Sequence, residues 1–152
     1  MSSAQTVYRL SISEQKGTPK TNVLSVTLEE DYGIVGDAHA GSRRQVSLLA
    51  FEAYEAFVAS RDDVDAISPG DFADNITTYG LSYEDIRVGS QIYVGATAHL
   101  EVTELGKSEC HSGCPIQRSI GDCIMPREGI FARVITGGLI QQGDSIRVIP
   151  QP

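Results

Sequence analysis

The sequence predicts one mainly β domain, built as a closed β-barrel with one or two short helices. Three observations favour this fold. Many short segments alternate apolar and polar residues, turn residues separate them at close spacing, and only one stretch has helical spacing. At 152 residues, the chain has room for a single domain over residues 1–152, with a core from about 8 to 148, and not for a second core.

Two alternating segments near the start of the chain predict its first strands. The positions between their apolar residues are polar, as expected for strands with one buried face. The apolar positions are Tyr8, Leu10 and Ile12 in the first segment, and Leu24, Val26 and Leu28 in the second. A glycine-bounded loop follows, and residues 45–49 are predicted as a third strand.

One stretch has the spacing of a helix. Phe51, Tyr54, Phe57 and Val58 recur at helical intervals, with glutamates between them. This pattern predicts a helix of about two to three turns that ends near residues 61–63.

Several short β segments are predicted after the helix, over residues 76–79, 87–88, 91–94, 97–105, 130–135 and 145–149. In the longest of them, Ala98, Leu100 and Val102 are expected on one face, with polar residues on the other. Residues 89–94 and 143–148 share a turn-into-strand pattern, which indicates two similar corners of the sheet.

Charge and composition argue against several classes of protein. Twelve lysines and arginines against twenty aspartates and glutamates give a net charge of −8, which disfavours non-specific binding to nucleic acid or to an anionic membrane. No apolar run is long enough to cross a bilayer, and the first residues lack the pattern of a signal peptide. A cytoplasmic location is therefore expected, where three cysteines do not predict a disulfide framework.

The densest group of reactive side chains lies between residues 106 and 127. It holds three thiols, an imidazole and cationic side chains that would stabilise a thiolate: Cys110, Cys114, Cys123, His111, Lys107 and Arg127. Cys110 and Cys114 have polar neighbours and are candidates for a reactive thiol. Cys123 has apolar neighbours and suits a place in the core equally well.

A zinc site is the alternative for this segment. The three cysteines and His111 together supply the four ligands that a structural zinc site needs. However, a Cys-x3-Cys spacing without a second close pair departs from the usual pattern, and adjacent Cys110 and His111 point in different directions. The spacing therefore favours a reactive thiol over zinc.

A second cluster lies in residues 36–45. Gly36 and Gly41 let backbone N–H groups approach a ligand, and the pair of Arg43 and Arg44 suits an anion such as phosphate. The Gly-Lys-Ser/Thr of a P-loop is missing. Taken alone, the segment also fits a polar surface turn with solvated arginines, but in a chain of charge −8 it is a candidate anion site.

Other polar residues have simpler alternatives. Asp71 and Asp74 follow a Pro-Gly turn and would suit acid–base chemistry or a cation, although turn capping is the expected role of Asp71. His99 lies on the polar face of a predicted strand, where a solvated or structural histidine is expected. The sequence contains no nucleotide-binding fingerprint, no local support for a Ser-His-Asp arrangement and no aromatic-basic pattern for nucleic acid.

Several motifs, in order along the chain, resemble those of MOSC domains, which are named for the C-terminal domain of molybdenum cofactor sulfurases. GIVGDAHAG at 33–41 and RQVSLL at 44–49 resemble the first signature of that family, and PGDFADNI at 69–76 resembles the second segment. The cysteine-containing segment 106–131 is similar to that of short stand-alone members. The resemblance covers nearly the whole chain and implies a single MOSC domain.

The resemblance also implies a β-barrel linked to the molybdenum cofactor, molybdopterin, and to sulfur transfer. A family cysteine is thought to carry sulfur or to bind molybdenum, and here Cys110 ranks first, before Cys114 and Cys123, because Lys107 and His111 flank it closely. Many relatives have one cysteine in this region, whereas this chain has three. The residues expected to bind the cofactor are Gly36, Asp37, His39, Gly41, Arg44, Asn75, Lys107 and Arg127.

Larger members of the family carry an aminotransferase-like, pyridoxal-phosphate domain that extracts sulfur from cysteine. This chain is too short to hold it, so we expect no pyridoxal-phosphate site and a partner that resembles a cysteine desulfurase, alongside proteins of molybdenum cofactor biosynthesis. The first hypothesis is a domain that binds, carries or sulfurates the cofactor through a loop cysteine. The alternatives are a non-catalytic scaffold for a cofactor-biosynthesis enzyme and a cofactor-dependent reductase of N-hydroxylated compounds.

Overall fold

The computed structural model of the chain describes residues 5–16, 18–60, 67–106 and 128–149. The predicted mainly β class is confirmed, and the predicted helix is present. The elements in chain order are β1 Thr6–Ile12, β2 Thr21–Val23, β3 Ser25–Glu29, β4 Gly33–Ile34, β5 Val46–Ala50, α1 Phe51–Ala59, β6 Ile76–Tyr79, β7 Gln91–Val94, β8 Ala98–Leu105, β9 Ile130–Thr136, β10 Gly138–Gln141 and β11 Ile146–Ile149. Residues 61–63, near which the helix was expected to end, lie outside the described part.

The strands form two sheets. Eight strands are ordered β11-β7-β8-β9-β5-β6-β1-β2, and the other three are ordered β10-β3-β4. The pair β5 and β6 is parallel, because α1 lies in the crossover that connects them and packs on both. One buried cluster contains side chains from both sheets, so the two sheets share a core.

The closed barrel predicted from the sequence is not supported, because the edge strands β11 and β2 of the large sheet do not pair. β2 pairs with the last residues of β1, and the start of β1 meets the opposite edge through a bridge between Thr6 and Ser145. Beside that bridge, the N–H of Val7 donates to the carbonyl of Asp144 at 2.8 Å. These contacts bring the two edges together without a continuous ladder, and alternation within single strands carries no signal for closure.

The apolar alternation predicted for β8 is confirmed. Ala98, Leu100 and Val102 are buried, and the polar residues between them are partly exposed. Val26 and Leu28 of β3 are buried in the same way.

Two predictions near the start of the chain were wrong for local reasons. In β1, Tyr8 is only partly buried, because a register shift against β6 between Val7 and Arg9 interrupts the alternation, whereas Ile12 packs against the core cluster. Leu24 is 78% exposed, because it joins β2 to β3, which belong to different sheets.

Later in the chain, one prediction failed and one strand was missed. Residues 87–88 belong to no strand and lie in the turn before β7. The strand β10 was missed, because the glycine at its first position was interpreted as part of a connection.

The two similar corners expected from residues 89–94 and 143–148 share a hydrogen-bonding scheme. The N–H of Arg87 donates to Ser90 Oγ at 2.9 Å, and the N–H of Gln141 donates to Asp144 Oδ2 at 2.8 Å. The strands that follow these turns, β7 and β11, pair with each other. The sequence similarity therefore corresponds to two turns held by the same kind of side-chain acceptor.

The turn before β6 is held by buried polar side chains. The hydroxyl of Tyr54 donates to Asp74, and the N–H of Gly70 approaches both side chains at 3.1 Å. Burial raises the pKa of both Tyr54 and Asp74. Asp71 accepts from the N–H of Ser68 at 2.9 Å, which is the capping role expected for it.

The side chain of Asn75 joins two strands in the core. Asn75 Oδ1 accepts from the N–H of Ser47 at 3.0 Å, and Asn75 Nδ2 donates to the carbonyl of Ser11 at 3.1 Å. All three residues are buried. Binding of the cofactor by Asn75 stays a prediction, while its amide contacts the backbones of β1 and β5 in this structure.

We expect Asn75→Ala to lower the free energy of unfolding by about 2–4 kcal/mol, because it removes partners from a buried N–H and a buried carbonyl. Urea unfolding followed by circular dichroism measures the change. Asn22→Ala is the matched control, because the amide of Asn22 is exposed although it bonds to Ser11 and Pro69. An equal decrease in the free energy of unfolding in both variants would contradict a specific contribution from burial of the Asn75 amide.

Candidate functional site

A buried lysine lies at the centre of the polar cluster that the structure assembles. Lys20 follows the break after β1, and its side chain is fully buried. Its Nζ lies 2.8 Å from Asp37 Oδ1, 3.0 Å from Ser13 Oγ and 3.2 Å from His39 Nδ1. An ammonium group has three N–H donors, so these three acceptors match its full donor capacity.

Asp37 is buried as completely as Lys20 and accepts from two further groups. The N–H of Ser13 donates to Oδ1 at 3.1 Å, and the N–H of His39 donates to Oδ2 at 3.0 Å. Burial alone would raise the pKa of Asp37, but His39 and Lys20 together outweigh burial and hold that pKa far below its usual range. The carboxyl group is therefore ionised at neutral pH.

The same contacts determine which nitrogen of His39 carries the proton. Nδ1 accepts from Lys20, and its separation of 3.6 Å from Asp37 Oδ2 is too long for a hydrogen bond. The proton of the neutral ring is therefore on Nε2. Because the side chain of His39 is 16% exposed, Nε2–H is a donor that the ring can offer to a ligand.

Two glycines allow the loop at residues 36–45 to turn back on itself. Gly36 and Gly41 have φ values of 91° and 79°, which other residues adopt only with strain. Every backbone N–H from Asp37 to Ser42 donates to an acceptor of the protein. An anion at this loop would therefore be held mainly by side chains, and binding of the cofactor by the two glycines stays a prediction.

Arg44 connects this loop to the end of β8. Its Nε and Nη2 donate to the two carboxylate oxygens of Glu104 at 2.9 and 2.8 Å, and its guanidinium lies over the ring of Phe131 at 5.2 Å. Such a bidentate pair fixes both direction and distance. Nearby, the N–H of Gly106 donates to the carbonyl of Gly129 at 2.7 Å, which joins the two described ends that flank residues 107–127.

Part of the predicted site is thus brought together. Asp37 and His39 both bond to Lys20 Nζ, and the N–H of His39 also donates to Asp37. Arg44 belongs to the same loop, and two of its N–H groups donate to Glu104. The remaining predicted residues of the cysteine segment lie outside the described residues: Lys107, Cys110, His111, Cys114, Cys123 and Arg127.

Sequence reasoning missed Lys20 and Ser13. Both lie in or beside the break between the first two strands, where polar residues are ordinary. Lys20 is separated from Asp37 by 17 residues, so no local pattern shows that the two side chains meet. The signal that was present is the Gly-Asp-x-His sequence of the loop, which supplied the other half of the cluster.

His99 lies apart from this cluster, on the outer face of β8. Its ring stacks on Tyr93 with centroids 4.3 Å apart, and its Nε2 bonds to the side chain of Gln91. This agrees with the structural role expected for it.

Comparison with known proteins identifies the family. The family model of the MOSC domain matches residues 35–147, a stretch that includes the loop and its Asp37, His39 and Arg44. The chain belongs to the MOSC domain family. The resemblance stated from the motifs is therefore confirmed, and the family is one associated with the molybdenum cofactor. A search of functionally curated proteins found no match.

Solved structures with the same fold have low sequence identity. The YuaD protein from Bacillus subtilis is 22% identical with a TM-score of 0.78, and the match covers 98% of this chain and 97% of that one. YiiM from Geobacillus stearothermophilus is 17% identical with a TM-score of 0.71, over 95% of this chain and 75% of that one. YiiM from Escherichia coli is 19% identical with a TM-score of 0.68, over 100% and 71%. At these identities the comparison shows the fold alone.

No helix in the described residues is long and apolar enough to span a membrane.

We expect Lys20→Met to lower the free energy of unfolding by about 3–5 kcal/mol, because it leaves the carboxylate of Asp37 buried without its cation. The double variant Lys20→Met/Asp37→Asn should lose less, since no unpaired buried charge remains. Urea unfolding of the four combinations gives the coupling between the two residues. Lys16→Met, at an exposed position, is the control and should change stability by less than about 0.5 kcal/mol.

We also expect stability to fall in acid through Asp37. Because its pKa is lower in the folded than in the unfolded chain, its contribution is fully present above the ordinary value of 3.8 and is lost as the pH falls below that value. Urea midpoints measured from pH 7 to about pH 2.5 should therefore decrease more steeply at the acid end for the wild type than for Asp37→Asn. Parallel curves for the two proteins would contradict the lowered pKa.

Proposed function

We propose that this MOSC domain binds the molybdenum cofactor at the loop of residues 36–45, and that it carries or sulfurates the cofactor through a cysteine of segment 107–127. Cys110 is the first candidate for that cysteine. The observation that carries the proposal is the anchored imidazole of His39. The buried Lys20 bonds to its Nδ1 and Asp37 bonds to its backbone N–H, which leaves Nε2–H as the donor for a ligand. This imidazole lies within the stretch that the family model matches.

The loop also has a structural connection towards the cysteine segment. Arg44 binds Glu104 near the end of β8, and the chain reaches Lys107 three residues later. This connection supports a single site in which one end of a ligand meets the loop and the other meets a thiol. It carries no information about the placement of the cysteines themselves.

The chemistry of the described residues fits part of the cofactor. The phosphate of the pterin needs hydrogen-bond donors, and His39 Nε2–H and the exposed Arg43 can supply them without disturbing the buried ion pair. The dithiolene and metal end needs a soft donor, which a thiolate of the cysteine segment would provide. The cofactor, when bound, supplies the molybdenum and its sulfur ligands, whereas the protein orients it and excludes competing donors.

Under the proposal, the sulfur that is transferred comes from a partner protein. A partner resembling a cysteine desulfurase would deliver the sulfur as its own persulfide: the Cys110 thiolate attacks the outer sulfur, the S–S bond of the donor breaks, a new S–S bond forms on Cys110, and the donor leaves as a thiolate. The neighbouring Lys107 and His111 would favour the thiolate form of Cys110. Their roles, and that of Arg127, follow from the sequence alone.

We expect the wild-type chain, expressed in a host that makes molybdenum cofactor, to be purified with molybdenum and pterin. His39→Ala should lower the occupancy of both by about tenfold or more, since a lost bond to a charged group is worth roughly 1.5–3 kcal/mol. Metal analysis and pterin fluorescence measure occupancy. His99→Ala is the matched control, because His99 lies on the outer face of β8 and should leave occupancy unchanged.

The cysteines extend the same experiment. Cys110→Ser should lose molybdenum or the bound sulfur, whereas Cys123→Ser should retain both. Wild-type protein without cofactor, from cells in which another cofactor protein is fully loaded, would contradict the proposal and would favour the scaffold role.

A further inference from the structure

A groove of about 480 Å³ lies beside α1, apart from the loop site. Its apolar lining comes from Ala53, Ala56 and Phe57 of α1 and from Leu81 and Tyr83 of the segment before β7, and we call this surface the helix groove. The helix groove shares no residue with the cluster around Lys20. Its volume is in the range of sites for small molecules, about 300–1,000 Å³.

The apolar wall of the helix groove is built from both small and large side chains. Ala53 and Ala56 are small and leave space on the helix surface, while Phe57 and Leu81 are large and buried. The hydroxyl of Tyr83 bonds to Thr78 Oγ1 at 2.8 Å, so its polar end is already occupied. Two aromatic rings therefore border a space that can hold an apolar group.

Among the described residues that line the helix groove, every charged side chain is acidic. These are Glu52, Glu84 and Glu128, and all three are exposed. Glu52 is fixed by the N–H of Gly80, which donates to Oε2 at 2.8 Å. No ion pair between described residues involves any of the three. The helix groove thus combines an apolar wall with a rim of three negative charges.

We propose that the helix groove binds a small organic ammonium ion, namely a protonated primary amine on an apolar body of about ten heavy atoms. The apolar body packs against the alanines and Leu81. The ammonium group meets the glutamates. Charge complementarity selects the cation, since an anion of the same shape would face three carboxylates. This site is independent of the proposed cofactor function.

The probe for this proposal is 2-phenylethylammonium, titrated into the 152-residue chain at low salt and followed by amide chemical shifts. Saturable changes are expected to be largest in α1 and in residues 81–84, with a dissociation constant on the order of millimolar. The neutral isostere 2-phenylethanol should bind about tenfold more weakly, and 3-phenylpropionate should not bind.

Variants distinguish the effect of the glutamates that line the helix groove from the effect of the chain's net negative charge. Glu84→Gln and Glu128→Gln should each weaken binding of the amine about two- to fivefold. Glu55→Gln is the matched control, because Glu55 is an exposed residue of α1 that does not line the helix groove. Equal binding of the alcohol and the amine would overturn the proposal. So would an equal effect of Glu55→Gln, or shift changes centred elsewhere.

Discussion

The buried ion pair of Lys20 and Asp37 is the interaction on which the candidate site depends. An isolated charge in the interior is strongly unfavourable, so each of the two groups requires the other to be in place. Their hydrogen bonds reach Ser13 at the end of β1 and His39 in the loop after β4. The end of β1, the connection that contains Lys20 and the loop after β4 are thereby fixed to one another. The orientation and the tautomer of the imidazole follow from this arrangement.

A second ion pair extends the arrangement across the large sheet. Arg44 and Glu104 are partly exposed, and their bidentate geometry matters more for direction than for stability. The pair connects the loop that precedes β5 with the end of β8. Under the proposed function, a ligand held by the loop is placed relative to the chain that leads into the cysteine segment. The buried pair fixes the orientation of the imidazole, and the partly exposed pair fixes the position of the loop relative to β8.

The parts of the fold that the sequence predicted are those governed by local pattern. The alternation in β8 and the helical spacing of Phe51, Tyr54 and Phe57 depend on burial of one face, which a single element expresses by itself. The closed barrel and the burial of Tyr8 failed for the opposite reason. They depend on how an edge strand meets another strand, and on a register shift within a pair, neither of which alternation encodes.

The candidate site was predictable to the same extent. Gly36 and Gly41 marked a loop correctly, since a positive φ is needed there, but the N–H of Gly41 donates to the carbonyl of Tyr32 rather than being directed at a ligand. Lys20 could not be found, because a lysine beside a turn is normally solvated and its burial follows from the packing of two distant segments. The loop was recognised by its residue types, and its chemistry required the contact that only the fold provides.

The distribution of charge bears on how an anionic cofactor would reach this site. The chain has a net charge of −8. Apart from the exposed Arg43, the described cations at the loop are already matched, Lys20 by Asp37 and Arg44 by Glu104. A positive potential that attracts an anion from a distance is therefore not built by these residues, and the net charge opposes its approach. Short, directional contacts such as the one offered by His39 Nε2–H act only after the ligand has arrived. Under the proposed function, this favours transfer of the cofactor from a partner in direct contact over capture from solution.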